Sequence, residues 1–121
     1  MLNTQLVGRR GEDLAAEYYR QLGAQVIGQN VRVGRDEIDL VVRDSLGETV
    51  FVEVKMRTER GICFDGAQAV GPRKLRHLRR AIGGWLSEHS VGDVRIDVLV
   101  IEVGACEPKF TWYPGVENAA R

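Results

Sequence analysis

Asp39, Glu53 and Lys55 are the residues of this chain whose types and spacing best suit chemistry, and all three fall in one stretch, EIDLVVRDSLGETVFVEVK, residues 37–55. Residues 37–43 and 49–55 are rich in Val, Ile and Phe, while Asp44, Ser45, Gly47 and Glu48 between them favour a loop, so the stretch reads as a β-hairpin. If Arg43 pairs with Thr49, antiparallel register sets Val42 opposite Val50, Leu40 opposite Val52 and Ile38 opposite Val54 on one wholly apolar face. The other face then carries Val41 opposite Phe51, Asp39 opposite Glu53 and Glu37 opposite Lys55. A one-residue slip would turn an apolar row to water, so burial opposes it, whereas a two-residue slip keeps both faces.

Directly opposed cross-strand residues have Cβ atoms roughly 4.5 to 5.5 Å apart, and like charges so placed destabilise a sheet. Lys55 can offset part of the repulsion between Asp39 and Glu53, but a divalent cation would neutralise both. Mg²⁺ takes hard oxygen ligands, commonly one or two carboxylates with retained waters, and this pair meets that need. The other reading is an ordinary surface face with a Glu37–Lys55 ion pair, because charges alternating with valines are common on half-exposed strands. The hairpin pattern alone leaves both open.

The elements around the hairpin must hold that face in place. Residues 4–22 predict a helix, with Val7, Gly11, Leu14, Ala15, Tyr18 and Leu22 on one side and Gly23 where a left-handed C-terminal residue belongs. Glu12 lies beside that stripe among Arg9, Arg10, Asp13 and Glu17, and on its own reads as a solvated helix acid. Residues 24–33 predict a first strand, and Gly34-Arg35 a turn into the hairpin, giving an antiparallel meander under the helix. Residues 56–66, with no clear period, read as a loop in which Arg57 and Arg60 could meet phosphates.

A second helix is predicted over residues 72–89, with Pro72 in the favoured first position and Leu75, Leu78, Ile82, Trp85 and Leu86 as its buried stripe. Opposite lie Arg73, Lys74, Arg76, His77, Arg79 and Arg80 with no acid among them, a self-repelling face that suits a polyanion as well as water. VRIDVLVIEV, residues 94–103, reads as a central strand reached by a crossover through that helix, and Asp97 within it needs a partner such as Arg95 or a basic helix residue. Residues 109–113 suit a last edge strand between Pro108 and Pro114.

The bulk properties agree with one soluble globular domain, 1–121. Hydrophobic residues make up 44% and charged residues 28%, and no apolar run is long enough to cross a bilayer. The N-terminal stretch lacks the apolar core of a secretory signal, so the expected compartment is the cytoplasm, with no membrane partner. Cys63 and Cys106 show no metal-ligand spacing and read as free thiols. Seventeen Lys and Arg balance seventeen Asp and Glu. That excludes coating nucleic acid by bulk charge but allows a local basic patch beside an acidic site.

Five segments together resemble the bacterial UPF0102 (YraN-like) family, which is similar to the PD-(D/E)xK nucleases and Holliday junction resolvases. They are GRRGEDLAAEYYRQLG, NVRVGRDEIDLVV, VFVEVKMR, AVGPRKLRHLRRA and RIDVLVI, and in this order they span nearly the whole chain. The resemblance implies an α/β fold with a restriction-endonuclease-like αβββαβ core, a mixed central sheet flanked by helices. It sets Asp39, Glu53 and Lys55 in the nuclease signature and makes Glu12 the further acid contributed by the first helix. Asp36 stands where the family usually has glycine, adding an acid near the site.

The function so implied is Mg²⁺- or Mn²⁺-dependent hydrolysis of phosphodiester bonds in DNA or structured nucleic acid. Asp39, Glu53, Glu12 and the carbonyl of Val54 would be the ligands, Lys55 would orient the nucleophile or steady developing charge, and Arg57, Arg73, Lys74, Arg76, Arg79 and Arg80 would grip the backbone. A homodimer is allowed by analogy with junction-cutting enzymes, which need two sites. A catalytically inactive nucleic-acid-binding module is the alternative, motivated by the basic helix, and a scaffold whose acidic face meets a partner is a third reading.

Overall fold

The computed structural model describes residues 4–58, 72–104 and 107–116. Its elements run α1 (Thr4–Gln21), β1 (Gln25–Val33), β2 (Asp36–Arg43), β3 (Thr49–Thr58), α2 (Pro72–Leu86), β4 (Val94–Val103) and β5 (Lys109–Tyr113). The strands form one mixed sheet in the order β1-β2-β3-β4-β5. Only the β3–β4 pairing is parallel, because α2 lies between those strands in sequence and carries the chain back across the sheet. This is the expected αβββαβ order with one antiparallel edge strand appended. No helix among the described residues is long and apolar enough to cross a membrane. Arg60, Cys63 and Cys106 lie outside the described residues.

Alternation along the strands sorts the core into two layers. Leu40, Val42, Val50, Val52, Val54, Leu99 and Ile101 meet Ala15, Ala16 and Tyr19 of α1. Val41, Phe51 and Ile96 meet Leu78, Ala81, Ile82 and Trp85 of α2, with the Phe51 and Trp85 rings edge to face at 5.4 Å. Residue 43 does pair with 49, and the register continues through Leu40 opposite Val52.

Past that pair the regular ladder stops, which corrects one expectation. Ile38 does not share a layer with Val54; it packs with Val41 and Phe51 on the α2 side. The alternation is broken where β2 leaves β3, at the level of Asp39.

Three further boundaries differ from expectation. Among the described side chains, the stripe of α1 keeps Gly11, Leu14, Ala15 and Tyr18 against the core and widens to Ala16 and Tyr19, while Leu22 is half-exposed. The helix stops at Gln21 in a Schellman turn: Ala24 N–H donates to Tyr19 O at 3.0 Å and Gly23 N–H to Arg20 O at 2.9 Å, with Gly23 at φ 88°. Leu22 therefore no longer follows the helical period. In place of a loop after Lys55, β3 continues to Thr58, since Met56, Arg57 and Thr58 find partners in Ile101, Glu102 and Val103 of the parallel neighbour. Finally, α2 ends at Leu86, three residues early. The N–H groups of Glu88 and His89 bond three residues back rather than four, and the Ser87 hydroxyl donates to Gly84 O at 2.6 Å, so the helical ladder tightens and ends.

Asp97 is wholly buried in β4 and its partner is the expected Arg95, not a residue of α2. Arg95 donates to it through Nε at 2.8 Å and through Nη2 at 3.1 Å. The Tyr19 hydroxyl at 2.8 Å, Trp112 Nε1 at 2.9 Å and the Gly115 N–H at 3.1 Å complete the set. Arg95 also reaches Asp44 and Glu48, at 3.2 and 2.9 Å, which fastens the β2–β3 turn to the same knot.

Candidate functional site

The site forms where β2 parts from β3. Beyond the last β2–β3 ladder pair, the Val54 N–H turns to a side chain and donates to Asp39 Oδ2 at 2.9 Å. Glu37 and Asp39 are two apart on the same strand, and Glu12 is brought to them by α1. The helix can approach because Gly11 lies against β3: a Cβ built there would stand 2.5 Å from Met56 Cγ. One carboxylate oxygen from each of Glu12, Glu37 and Asp39 then lies within 4.8 Å of the others, an acidic group that could hold a metal ion. Glu37 is exposed, Glu12 and Asp39 are half-buried, and the Oε2 atom of Glu12 is enclosed without a hydrogen bond.

Glu53 stands on β3 beside this group. It is buried, and Lys74 at the start of α2 reaches it, Nζ to Oε1 at 2.7 Å. The cation resolved against Glu53 therefore comes from outside the hairpin, from a residue that the sequence reading assigned to backbone contacts. Lys55 is buried two residues along the same strand. A cleft of about 300 Å³ opens between β2 and α2, lined by Arg35, Asp36, Glu37, Asp39, Glu53, Lys74, His77 and Leu78.

Electrostatics in this corner favour a proton or a cation on Asp39. Burial raises its pKa most, the charges of Glu53 and then Glu12 add to the rise, and the Val54 N–H and Lys74 oppose it, leaving the carboxyl at about 8. A carboxylate so placed is costly to keep ionised alone.

The proposed nucleic-acid contacts divide. Arg73, Arg76 and Arg79 are exposed along α2. Arg80, exposed as well, holds Asp36 with two bonds, Nε at 2.7 Å and Nη2 at 2.8 Å, and Arg57 holds Glu102 at 2.9 Å. The Arg80 guanidinium keeps the Asp36 carboxyl below its ordinary range. The basic face of α2 thus meets acids after all, contributed by β2 and β3 rather than by the helix.

Sequence reasoning placed Glu37 opposite Lys55 and gave it no role at the metal, although its two-residue spacing from Asp39 was a usable signal. It also missed Arg35 and His77 as cleft residues. His77 had a signal, since it is three residues from Lys74 on the same helix. Val54, whose carbonyl the sequence reading gave to the metal, also donates its N–H to Asp39.

The solved structure of Pyrococcus furiosus SfsA in complex with Ca²⁺ is similar to this chain with a TM-score of 0.43 and 17% identity, covering 94% of this chain and 64% of that one. Among relatives by sequence, a UPF0102 protein of Corynebacterium glutamicum is 40% identical over 97% of this chain and 96% of its own length. One of Mycolicibacterium gilvum is 44% identical over 91% of this chain and 92% of its own. The model of the family described as "Uncharacterised protein family UPF0102" matches residues 11–101, a span that takes in Glu12, the whole hairpin, α2 and most of β4, and the chain belongs to that family.

Proposed function

We propose that this chain is a Mg²⁺- or Mn²⁺-dependent nuclease that hydrolyses phosphodiester bonds in nucleic acid, with DNA the foremost substrate class. The observation that carries the reading is the convergence of Glu12, Glu37 and Asp39 within 4.8 Å, beside a cleft whose other wall carries Lys74 and His77.

The donor set suits a hard cation. Glu12, Glu37 and Asp39 would offer it carboxylate oxygens, the hard ligands that Mg²⁺ takes. A bound divalent cation would polarise the scissile phosphate and acidify a water. Asp39, Glu12 and Glu37 hold the site, and Glu53 with the Val54 carbonyl are the further ligands proposed. Lys55 orients the attacking water or steadies charge developing on the phosphate, a task that suits a compact ammonium better than a planar guanidinium. Arg73, Arg76 and Arg79, exposed on α2, meet the nucleic-acid backbone, and Arg57, Lys74 and Arg80 reach it by exchanging the carboxylates they now hold.

The test is Mn²⁺-dependent cleavage of branched, flapped and single-stranded DNA, lost in Asp39→Asn. Folded wild-type protein that cleaves none of them overturns the reading. Mn²⁺ at a hundredfold excess over its dissociation constant should also stabilise the wild type by about 2.7 kcal/mol. The exposed arginines of α2 favour a second reading, a binding module without turnover. That module predicts salt-sensitive DNA binding that survives Asp39→Asn and needs no metal.

A further inference from the structure

The carboxylates at this site fall into two groups with different cations in view. Glu12, Glu37 and Asp39 gather within 4.8 Å of one another, whereas Glu53 lies outside that triplet and is met by Lys74 at 2.7 Å. Glu53 keeps 5% of its side-chain surface exposed and Lys74 keeps 43%. The acid is therefore locked in the protein, while its partner sits on a long stem at the solvent side of the first turn of α2. Removing one member of a buried pair leaves an uncompensated charge, so loss of the ammonium is costly to Glu53 and a replacing cation offsets that cost. An ammonium and a divalent ion compete for the same carboxylate oxygens. Arg73 and Arg76 flank Lys74 in sequence and are exposed, so an anion approaching that part of α2 meets Lys74 among the first cations.

We propose that Lys74 is a resident counter-ion of Glu53, a placeholder that an incoming divalent ion displaces, releasing the ammonium toward a phosphate of the substrate. This rests on the metal-dependent reading above. In the metal-free protein the lysine holds Glu53 in place at 2.7 Å. In the loaded protein the same lysine becomes a phosphate contact, so metal binding itself completes the anion site, and by linkage a bound phosphate favours the metal.

The experiment is calorimetric titration of Mn²⁺ into wild-type protein and Lys74→Met, both without nucleic acid. Lys74→Met, relieved of the competing ammonium, should bind Mn²⁺ at least tenfold more tightly. In parallel, amine acetylation of the wild type is followed by mass spectrometry. Saturating Mn²⁺ should raise the acetylation rate of Lys74 several-fold and leave that of exposed Lys109 unchanged. Equal or weaker Mn²⁺ affinity in folded Lys74→Met overturns the placeholder role and leaves the metal reading standing. Absence of Mn²⁺ binding in both proteins overturns the two together. Should Lys74→Met fail to fold, the acetylation measurement decides, and a Lys74 rate unmoved by Mn²⁺ overturns the proposal.

Discussion

Two aspartates on either side of β3 show how differently one sheet can treat a desolvated carboxyl. Asp97 on β4 is surrounded by donors from Tyr19, Arg95, Trp112 and Gly115. Asp39 on β2 accepts the Val54 N–H and faces the charges of Glu53 and Glu12. Burial, then the Asp97 charge, raises the Tyr19 hydroxyl far above its ordinary pKa, and the hydrogen bond to Asp97 raises Arg95, so these two donors keep their protons across ordinary pH. Asp39 sits at about 8, within reach of neutrality. A fully satisfied network rigidifies a core; an under-satisfied one marks a place where something else binds.

The largest effect that could break this contrast is at Asp97. Asp97→Ala removes the acceptor shared by Arg95, Tyr19 and Trp112 and should cost about 3–5 kcal/mol in urea unfolding. A loss below about 1 kcal/mol would mean that the knot does not organise the fold.

Asp39 should behave in the opposite sense. Its folded-state pKa is raised above the unfolded value, so between pH ~4 and ~8 the folded chain keeps a proton that the unfolded chain has lost. Metal-free stability should then fall as pH rises through that window, on the order of 1 kcal/mol for each pH unit, and level off above it. Asp39→Asn should remove this slope, matching the wild type near pH 4 and exceeding it at pH 8. An unaltered slope in unfolding curves from pH 4 to 9 would place the strain elsewhere.

Gly11→Ala sharpens the comparison from the side of α1. Its methyl would overlap Met56, so a loss of about 1–3 kcal/mol is expected as the helix is pushed off β3. Because Glu12 moves with the helix, Mn²⁺-induced stabilisation should shrink as well, while the Asp97 knot sets a limit to the displacement through Tyr19. A Mn²⁺ shift equal to that of the wild type would remove Glu12 from the site.

The smallest effect belongs to Asp36 and Arg80. Their pair is bidentate but half-exposed on the Arg80 side, so Asp36→Ala should change urea unfolding least of these four substitutions. A clear loss would show that the latch between β2 and α2 supports the cleft.

The order of elements, the two-layer core and the pairing of residue 43 with 49 were all legible in the chain, because helical and strand periods are local and each registers directly in which residues are apolar. Extending that register by one pair set Asp39 opposite Glu53; the ladder stops before them, yet the Glu53 charge does act on Asp39. What three-dimensional packing decided was which charge meets which. Lys74 with Glu53, Arg80 with Asp36, and Glu12 with Glu37 and Asp39 each join residues more than twenty positions apart. Such pairings depend on how a helix is rotated and how closely it approaches, through Gly11 against Met56 for example. The departure of β2 from β3 at Asp39 was equally hidden, since alternation carries no mark of where a ladder ends. Local pattern determines faces; only the assembled layers determine distances between them, and Coulomb interactions answer to distance.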